Sequence, residues 1–354
     1  MSIYYLIFML ILIIKEMNIN LLSDTVTKPT KGMLEAMFKA QVGDDVFGAD
    51  STVNALQEKM ATLFGKEAAL FFPSGTMANQ VAIKLHTQPG DQMICDKWAH
   101  VYNFEGGGAA VNSGVTTALI DGDRGIFTAN QVQQLINPDD MHYAKSSLVC
   151  VENTTNKGGG ACWSLDEVKK IKQVCIEHDL AFHLDGARLF NALVAKNEQP
   201  KQYGELFDTI SICLSKGLGC PVGSVLLGTK EHIANALRVR KLLGGGMRQV
   251  GYLAAAGIYA LDNHVERLAE DHKKAKKIAK VLESSTDIKK VEPVETNIVI
   301  FYTNNAIDDA NFIDKLKQEN ILITGMGQGK LRMVFHLDIS NQMVEKLTDV
   351  LIRF

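Results

Sequence analysis

Two short apolar runs, each ending in a polar turn, constrain this chain more than any other feature. The first is Ala181-Phe-His-Leu-Asp-Gly-Ala-Arg188 and the second is Ile210-Ser-Ile-Cys-Leu-Ser-Lys216. Each has the length and content of a buried strand. A helix and a loop fit between them, which is the spacing of a βαβ unit with parallel strands. In such sheets ligands bind beyond the strand ends, and there Asp185 and Lys216 would stand. A lysine in that place is either a solvated surface residue or an amine nucleophile that forms a Schiff base with a carbonyl. The carboxylate at the neighbouring strand end favours the second reading.

Composition narrows the partners. A chain of 354 residues can bury one large core or two. Its net charge of −3 provides no field for nucleic acid or an anionic membrane, and neither is expected as a partner. The basic run His272-Lys-Lys-Ala-Lys-Lys277 lies in a helical pattern and reads as a solvated face. The six cysteines show no C-x-x-C pair and no zinc spacing. They read as reduced core residues of a cytoplasmic protein, and no metal is expected. Residues 3–14 are almost wholly apolar but too short to span a bilayer, and they lack the marks of a signal peptide. We read 1–16 as an extension from a start codon called too early, with a membrane anchor as the alternative.

Taken in order, an extended arm over 17–45 includes a short helix, Lys31 to Ala40. Ser51 to Phe64 is amphipathic, with Val53, Leu56, Met60 and Leu63 at helical spacing. Glu67 to Phe72 is a strand that breaks at Pro73-Ser-Gly-Thr76, and Met77 to Leu85 resumes as a helix. A strand, a glycine turn and a helix start present free backbone N–H groups to a phosphate. Gly75 would allow close approach and Thr76 would add a hydroxyl. Further strands are expected at Gln92–Cys95, Ser147–Glu152 and Gly223–Gly228, and a capping box joins Ser164 to Glu167. The pattern changes near Leu253. A long amphipathic helix runs to Leu282, followed by the strand Asn297–Tyr302, the helix Asp309–Gln318, the strand Leu331–Phe335 and a last helix from Ser340. The class is α/β, with a large domain over 46–252 and a small C-terminal α+β domain over 253–354.

An Asp and a Lys at adjacent strand ends are what a pyridoxal 5'-phosphate site needs. The Asp keeps the pyridine nitrogen protonated and the Lys holds the cofactor as an imine. Here the chain resembles the aspartate-aminotransferase-fold enzymes that use this cofactor, and closely resembles one branch, the L-threonine aldolases. The motifs carrying the resemblance are Ser23-Asp-Thr-Val-Thr27, Pro73-Ser-Gly-Thr-Met-Ala-Asn79, His183-Leu-Asp-Gly-Ala-Arg188, Leu214-Ser-Lys-Gly-Leu-Gly219 and Gly244-Gly-Gly-Met-Arg-Gln249. They occur in the family's order, from about Asn18 to the C-terminus.

The resemblance implies a mostly parallel seven-stranded sheet in the large domain. It places His100 on the face of the cofactor ring, Phe104 on the substrate side, and His142 near the substrate side chain. The family often has His where this chain has Thr155, so no hydrogen bond from a His is expected there. Arg188, also counted on the cofactor side, Arg332 and Ser23 would hold the substrate carboxylate, because Arg binds carboxylates bidentately. Lys241 and Arg248 would reach the cofactor phosphate across a subunit interface, which makes the enzyme a homodimer or homotetramer. The implied reaction is retro-aldol cleavage of L-threonine or L-allo-threonine to glycine and acetaldehyde. The base would be His142, His100 or a water between them. Another lyase reaction or a transamination of a small amino acid is the alternative on the same scaffold, and a catalytically silent binding protein is the other.

Overall fold

The computed structural model describes residues 18–304 and 309–353; the apolar run at 1–16 lies outside the described residues. The central sheet has seven strands: β1 (Ala68–Phe72), β2 (Gln92–Asp96), β3 (Thr116–Ile120), β4 (Ser146–Glu152), β5 (Ala181–Asp185), β6 (Thr209–Cys213) and β7 (Ser224–Gly228). Their order is β1-β7-β6-β5-β4-β2-β3, with β7 running against its two neighbours and the rest parallel. β4, β6 and β7 are buried at every position. Strands covered on both faces read as apolar runs rather than alternating ones, which is why they are visible in the sequence. The register sets Glu152 beside Asp185 and Asp185 beside Ser211, so the ends of β4, β5 and β6 share one edge.

Helices cover the sheet. α1 (Ser51–Phe64) is capped by Asp50, and α2 (Gly75–His86) by Ser74. α3 (Lys230–Leu242), α4 (Gly251–Asn263) and α5 (Leu268–Glu283) follow. The single long helix expected from Leu253 is thus two. The apolar periodicity continues through the break, but the ring Nδ1 of His264 donates to the Leu218 carbonyl at 2.7 Å and the chain turns there. Ala254, Ala256 and Ala260 of α4 pack in the core of the central sheet, and a second core begins at Ala275 of α5. The expected capping box at Ser164 does not form, because the Glu167 carboxylate accepts from Ala129 N at 2.9 Å instead.

The second core lies under an antiparallel sheet of β8 (Ile288–Val291), β9 (Ile298–Thr303), β10 (Thr324–Gly327) and β11 (Lys330–Val334), ordered β10-β11-β9-β8. Ile19 and Leu21 of the N-terminal arm are buried in this core, and Ile19–Asn20 pairs in parallel with Ile321–Leu322. This pairing carries Ser23 and Asp24 back over the large sheet. Among the described residues, no helix is long and apolar enough to cross a membrane.

Candidate active site

The site is built upward from the end of β5. Asp185 is 2% exposed. Its Oδ1 accepts from Ala187 N at 3.1 Å, and its Oδ2 from Asn79 Nδ2 at 2.9 Å. Asn79 stands one turn into α2, and the same amide nitrogen also donates to Glu105 Oε1 at 2.9 Å. Gln80 holds the other oxygen of Glu105 at 2.6 Å. His100 then closes the cluster, with Nδ1 2.9 Å from Glu105 Oε1 and its backbone N donating to Glu152 Oε2 at 3.0 Å. Ligating atoms of His100, Glu105 and Asp185 lie within 4.8 Å of one another.

Charge in this cluster is unbalanced. Burial disfavours the His100 cation, yet the Glu105 hydrogen bond and the Asp185 charge outweigh it and hold the imidazole above its ordinary value. Burial, and then the charge of Asp185, pushes Glu152 up to about 7. Three carboxylates thus surround one imidazole. A protonated pyridine nitrogen beside Asp185 would supply the missing positive charge, so this floor fits pyridoxal phosphate. Lys216 follows β6 by three residues. Its carbonyl accepts from Thr27 Oγ1 at 3.2 Å and from Gly219 N at 2.8 Å. Its ammonium is close enough to Asp24 and His100 to influence both.

Two arginines and the arm form the next wall. Arg188 is buried and grips Asp24 bidentately, at 2.7 and 2.6 Å. Burial would raise Asp24, but the Arg188 charge and hydrogen bonds hold it down at about 2. Arg188 is therefore already matched to a carboxylate of its own chain. Arg332 is placed differently. Its Nη1 donates to Asn156 at 2.9 Å and its Nη2 to the Leu22 carbonyl at 3.0 Å, while its buried Nε has no partner among the described residues. Burial, then the neighbouring Arg188 charge, lowers it to about 10. Unlike Arg188, Arg332 is paired with no carboxylate among the described residues. Ser23 stands next to Asp24, with its hydroxyl capping Thr25 N at 3.2 Å.

At the start of α2, Ser74 caps Met77 N, and the N–H groups of Gly75 and Thr76 have no acceptor within the helix. The positive end of the helix dipole and these donors suit a phosphate. Beside Gly75, the buried Ser224 hydroxyl also lacks a partner. Glycine is needed here for a reason other than the one expected. A Cβ on Gly75 would lie 2.6 Å from Cys213 Sγ, so its absence lets the helix start sit against the end of β6.

Three expected residues, His142, Lys241 and Arg248, stand apart. His142 is exposed and pairs with Asp140 at 2.7 Å, four residues before β4 begins. The seven residues of β4 separate it from the cluster at Glu152 by about 20 Å of strand, so one chain does not bring His142 to His100. Arg248 is bound to Asp44 at 2.8 Å and lies over the Phe47 ring, and both it and Lys241 are exposed. Phe104 is partly exposed, 5.6 Å from the His100 ring. Thr155 donates to the Arg124 carbonyl at 2.9 Å. Conversely, Asn79, Glu105, Glu152 and Asp24 have no role in the reading of the sequence. Asn79 and Asp24 lie in quoted motifs, but their partners are 106 and 164 residues away.

A mostly parallel seven-stranded sheet joined to a small antiparallel one, with Asp and Lys at adjacent strand ends, defines an α/β enzyme of the pyridoxal-phosphate type. The chain belongs to the beta-eliminating lyase family, whose model matches residues 20–306. It is 45% identical to the low specificity L-threonine aldolase of Escherichia coli over 331 residues, 93% of this chain and 97% of that one. It is 37% identical to the low-specificity L-threonine aldolase 1 of Arabidopsis thaliana, over 92% of this chain and 93% of that one. In fold it matches the threonine aldolase of Leishmania major with a TM-score of 0.83 at 21% identity, covering 95% of this chain and 99% of that chain. A cysteine desulfurase of Thermococcus onnurineus matches with a TM-score of 0.71 at 16% identity, covering 95% and 94%. The fold therefore carries more than one chemistry.

Proposed function

We propose that this chain is a pyridoxal-phosphate-dependent aldehyde-lyase that cleaves L-threonine and L-allo-threonine to glycine and acetaldehyde. The observation that carries the reading is the buried Asp185, held by Asn79 and in no ion pair closer than 4.0 Å among the described residues, at the edge from which Lys216 follows. When bound, the cofactor supplies the electron sink that Cα–Cβ cleavage needs.

The residues divide the remaining work. Lys216 holds the cofactor through its amine, and Asp185 favours a protonated ring nitrogen. The N–H groups of Gly75 and Thr76 take the phosphate. Arg332, which pairs with no carboxylate among the described residues, orients the substrate carboxylate, with Ser23 beside it. Arg188 holds Asp24 and so fixes the arm that forms this wall. In its neutral form His100 donates from Nδ1 to Glu105, which leaves Nε2 to take the β-hydroxyl proton. Phe104 lines the substrate side. His142, Lys241 and Arg248 act from a neighbouring copy, so the working form is at least a homodimer, in the cytoplasm. The test is product analysis. Purified holoenzyme should release equimolar glycine and acetaldehyde from both threonine diastereomers; a keto acid instead would establish transamination.

A further inference from the structure

Asp185 terminates a chain of hydrogen bonds that runs back along the sheet to its opposite edge. Asn79 Oδ1 lies 2.5 Å from Ser211 Oγ and 3.2 Å from His183 Nε2. His183 Nδ1 lies 2.9 Å from Thr209 Oγ1, and Thr209 Oγ1 lies 2.9 Å from His86 Nε2. The register explains the alignment. His183 and Asp185 alternate onto one face of β5, opposite Thr209 and Ser211 of β6. Asn79 and His86 are two turns apart on α2, so they share its sheet-facing side. His86 ends at a cavity of about 420 Å³ lined by His232, Asp91 and Asp208.

The two carboxylates at Asn79 set the direction of the bonds in this chain. Asn79 Nδ2 faces two carboxylates, Asp185 and Glu105, and must donate, so its Oδ1 accepts. His183 therefore carries a proton on Nε2. Burial pushes His183 down to about 4 and His86 to about 3, so both rings are neutral near pH 7. A neutral His183 accepts at Nδ1, so the Thr209 hydroxyl donates to it and accepts from His86 Nε2–H. All the donors point towards Asp185, and bonds aligned this way polarise one another.

We propose that Thr209, His183 and Asn79 are positioning residues that pin the Asp185 carboxylate and favour its anion, so that the cofactor ring nitrogen keeps its proton. The last clause rests on the function proposed above; the hydrogen-bond direction does not. A role confined to satisfying buried polar groups would need the bonds but would leave the ring nitrogen unaffected.

Two measurements separate these outcomes. In the apoenzyme, long-range ¹H–¹⁵N spectra should show His86 and His183 both as the Nε2–H tautomer at pH 7. An Nδ1–H tautomer at His183 overturns the proposal whether or not the cofactor reading holds, and whether or not any variant folds. In the holoenzyme loaded with ring-¹⁵N pyridoxal phosphate, Thr209→Val removes the hydroxyl at nearly constant volume. Its ring nitrogen resonance should move towards the neutral position, and kcat should fall by roughly tenfold with KM little changed, the size of one weakened bond to a charged group. Thr209→Ser should restore both. A folded Thr209→Val holoenzyme with the wild-type nitrogen resonance would leave the chain a purely structural feature.

Discussion

The floor of the site and its rim are built in opposite ways. On the floor, Asp185, Asn79, Glu105, Glu152 and His100 are held by bonds of 2.9 to 3.1 Å drawn from β4, β5, α2 and the segment after β2. All but His100 are buried. On the rim, Lys241, Arg248 and His142 are exposed, and Arg248 and His142 are bound to acidic neighbours of their own segments or surface. A floor made by one chain is fixed when that chain folds. Exposed side chains on the rim remain open to a second surface. On the function proposed above, the floor would hold the cofactor ring within one chain and the rim would complete the site of a neighbouring copy.

The sharpest way to break that contrast is to cut the wall that joins arm to floor. Asp24→Asn removes one partner of the buried Asp24–Arg188 pair and leaves the guanidinium uncompensated. Loss of about 3–5 kcal/mol of stability is expected, read from urea denaturation of the apoenzyme. Because Asp24 is depressed in the fold, from 3.8 to about 2, its contribution is present above pH 4 and is lost as pH falls towards 2. A variant within 1 kcal/mol of wild type would mean that the arm is held by its strand pairing alone.

Asp185→Asn tests the floor itself. The phosphate donors and Lys216 do not depend on this side chain, so the cofactor should stay bound. An amide cannot favour a protonated ring, and the loss should fall on kcat, by about a hundredfold or nearly 3 kcal/mol of transition-state stabilisation. Steady-state kinetics on a variant with confirmed cofactor absorbance decides it. Near wild-type kcat would remove Asp185 from its place under the ring nitrogen.

Glu152 makes a smaller, pH-dependent contribution. Its carboxyl is raised from 4.5 to about 7 by burial and by Asp185, so between those values the folded apoenzyme binds a proton that the unfolded chain has released. Stability should therefore decline as pH rises from about 4.5 to about 7, by at most about 3 kcal/mol. Glu152→Gln should flatten that decline in apoenzyme denaturation between pH 5 and pH 8. An unchanged slope would place the charge strain elsewhere in the cluster.

These residues also show how far the sequence could be read. Asp185 and Lys216 were legible because a buried strand followed by a polar turn is a local signal, and both signals survive in β5 and β6. Arg332 was singled out only by resemblance, and it lies in the middle of β11 rather than beyond its end. Glu105 and Asn79 were not legible, since each is an ordinary polar residue until the chain brings α2 against the end of β5. Arg188 was read as a ligand for substrate, but nothing local reveals that Asp24, 164 residues earlier, occupies it. The break at His264 was hidden because apolar spacing runs on through it, while the bond to Leu218 that accompanies it is tertiary. His142 was singled out by the resemblance alone, and in this chain it lies four residues before β4 begins.

The last prediction concerns that choice of chain. If Lys241 and Arg248 serve the phosphate of a neighbouring copy, a Lys216→Ala chain lacks its own amine but still lends two good cations. A Lys241→Ala/Arg248→Ala chain lends none but keeps its own amine. In a hybrid dimer of the two, one site collects every defect and the other collects none. Random pairing makes half of the dimers hybrid, so the mixture should recover about a quarter of wild-type activity. The cofactor should be at a concentration that saturates wild type but not the double variant, since two exposed contacts weaken phosphate binding rather than abolish it. Co-expression with two affinity tags isolates the hybrid directly, and there the expected recovery is about half. Activity no higher than the mean of the two parents would mean that these cations act within their own chain. The floor and the rim would then belong to one subunit, and the contrast between them would reflect exposure alone.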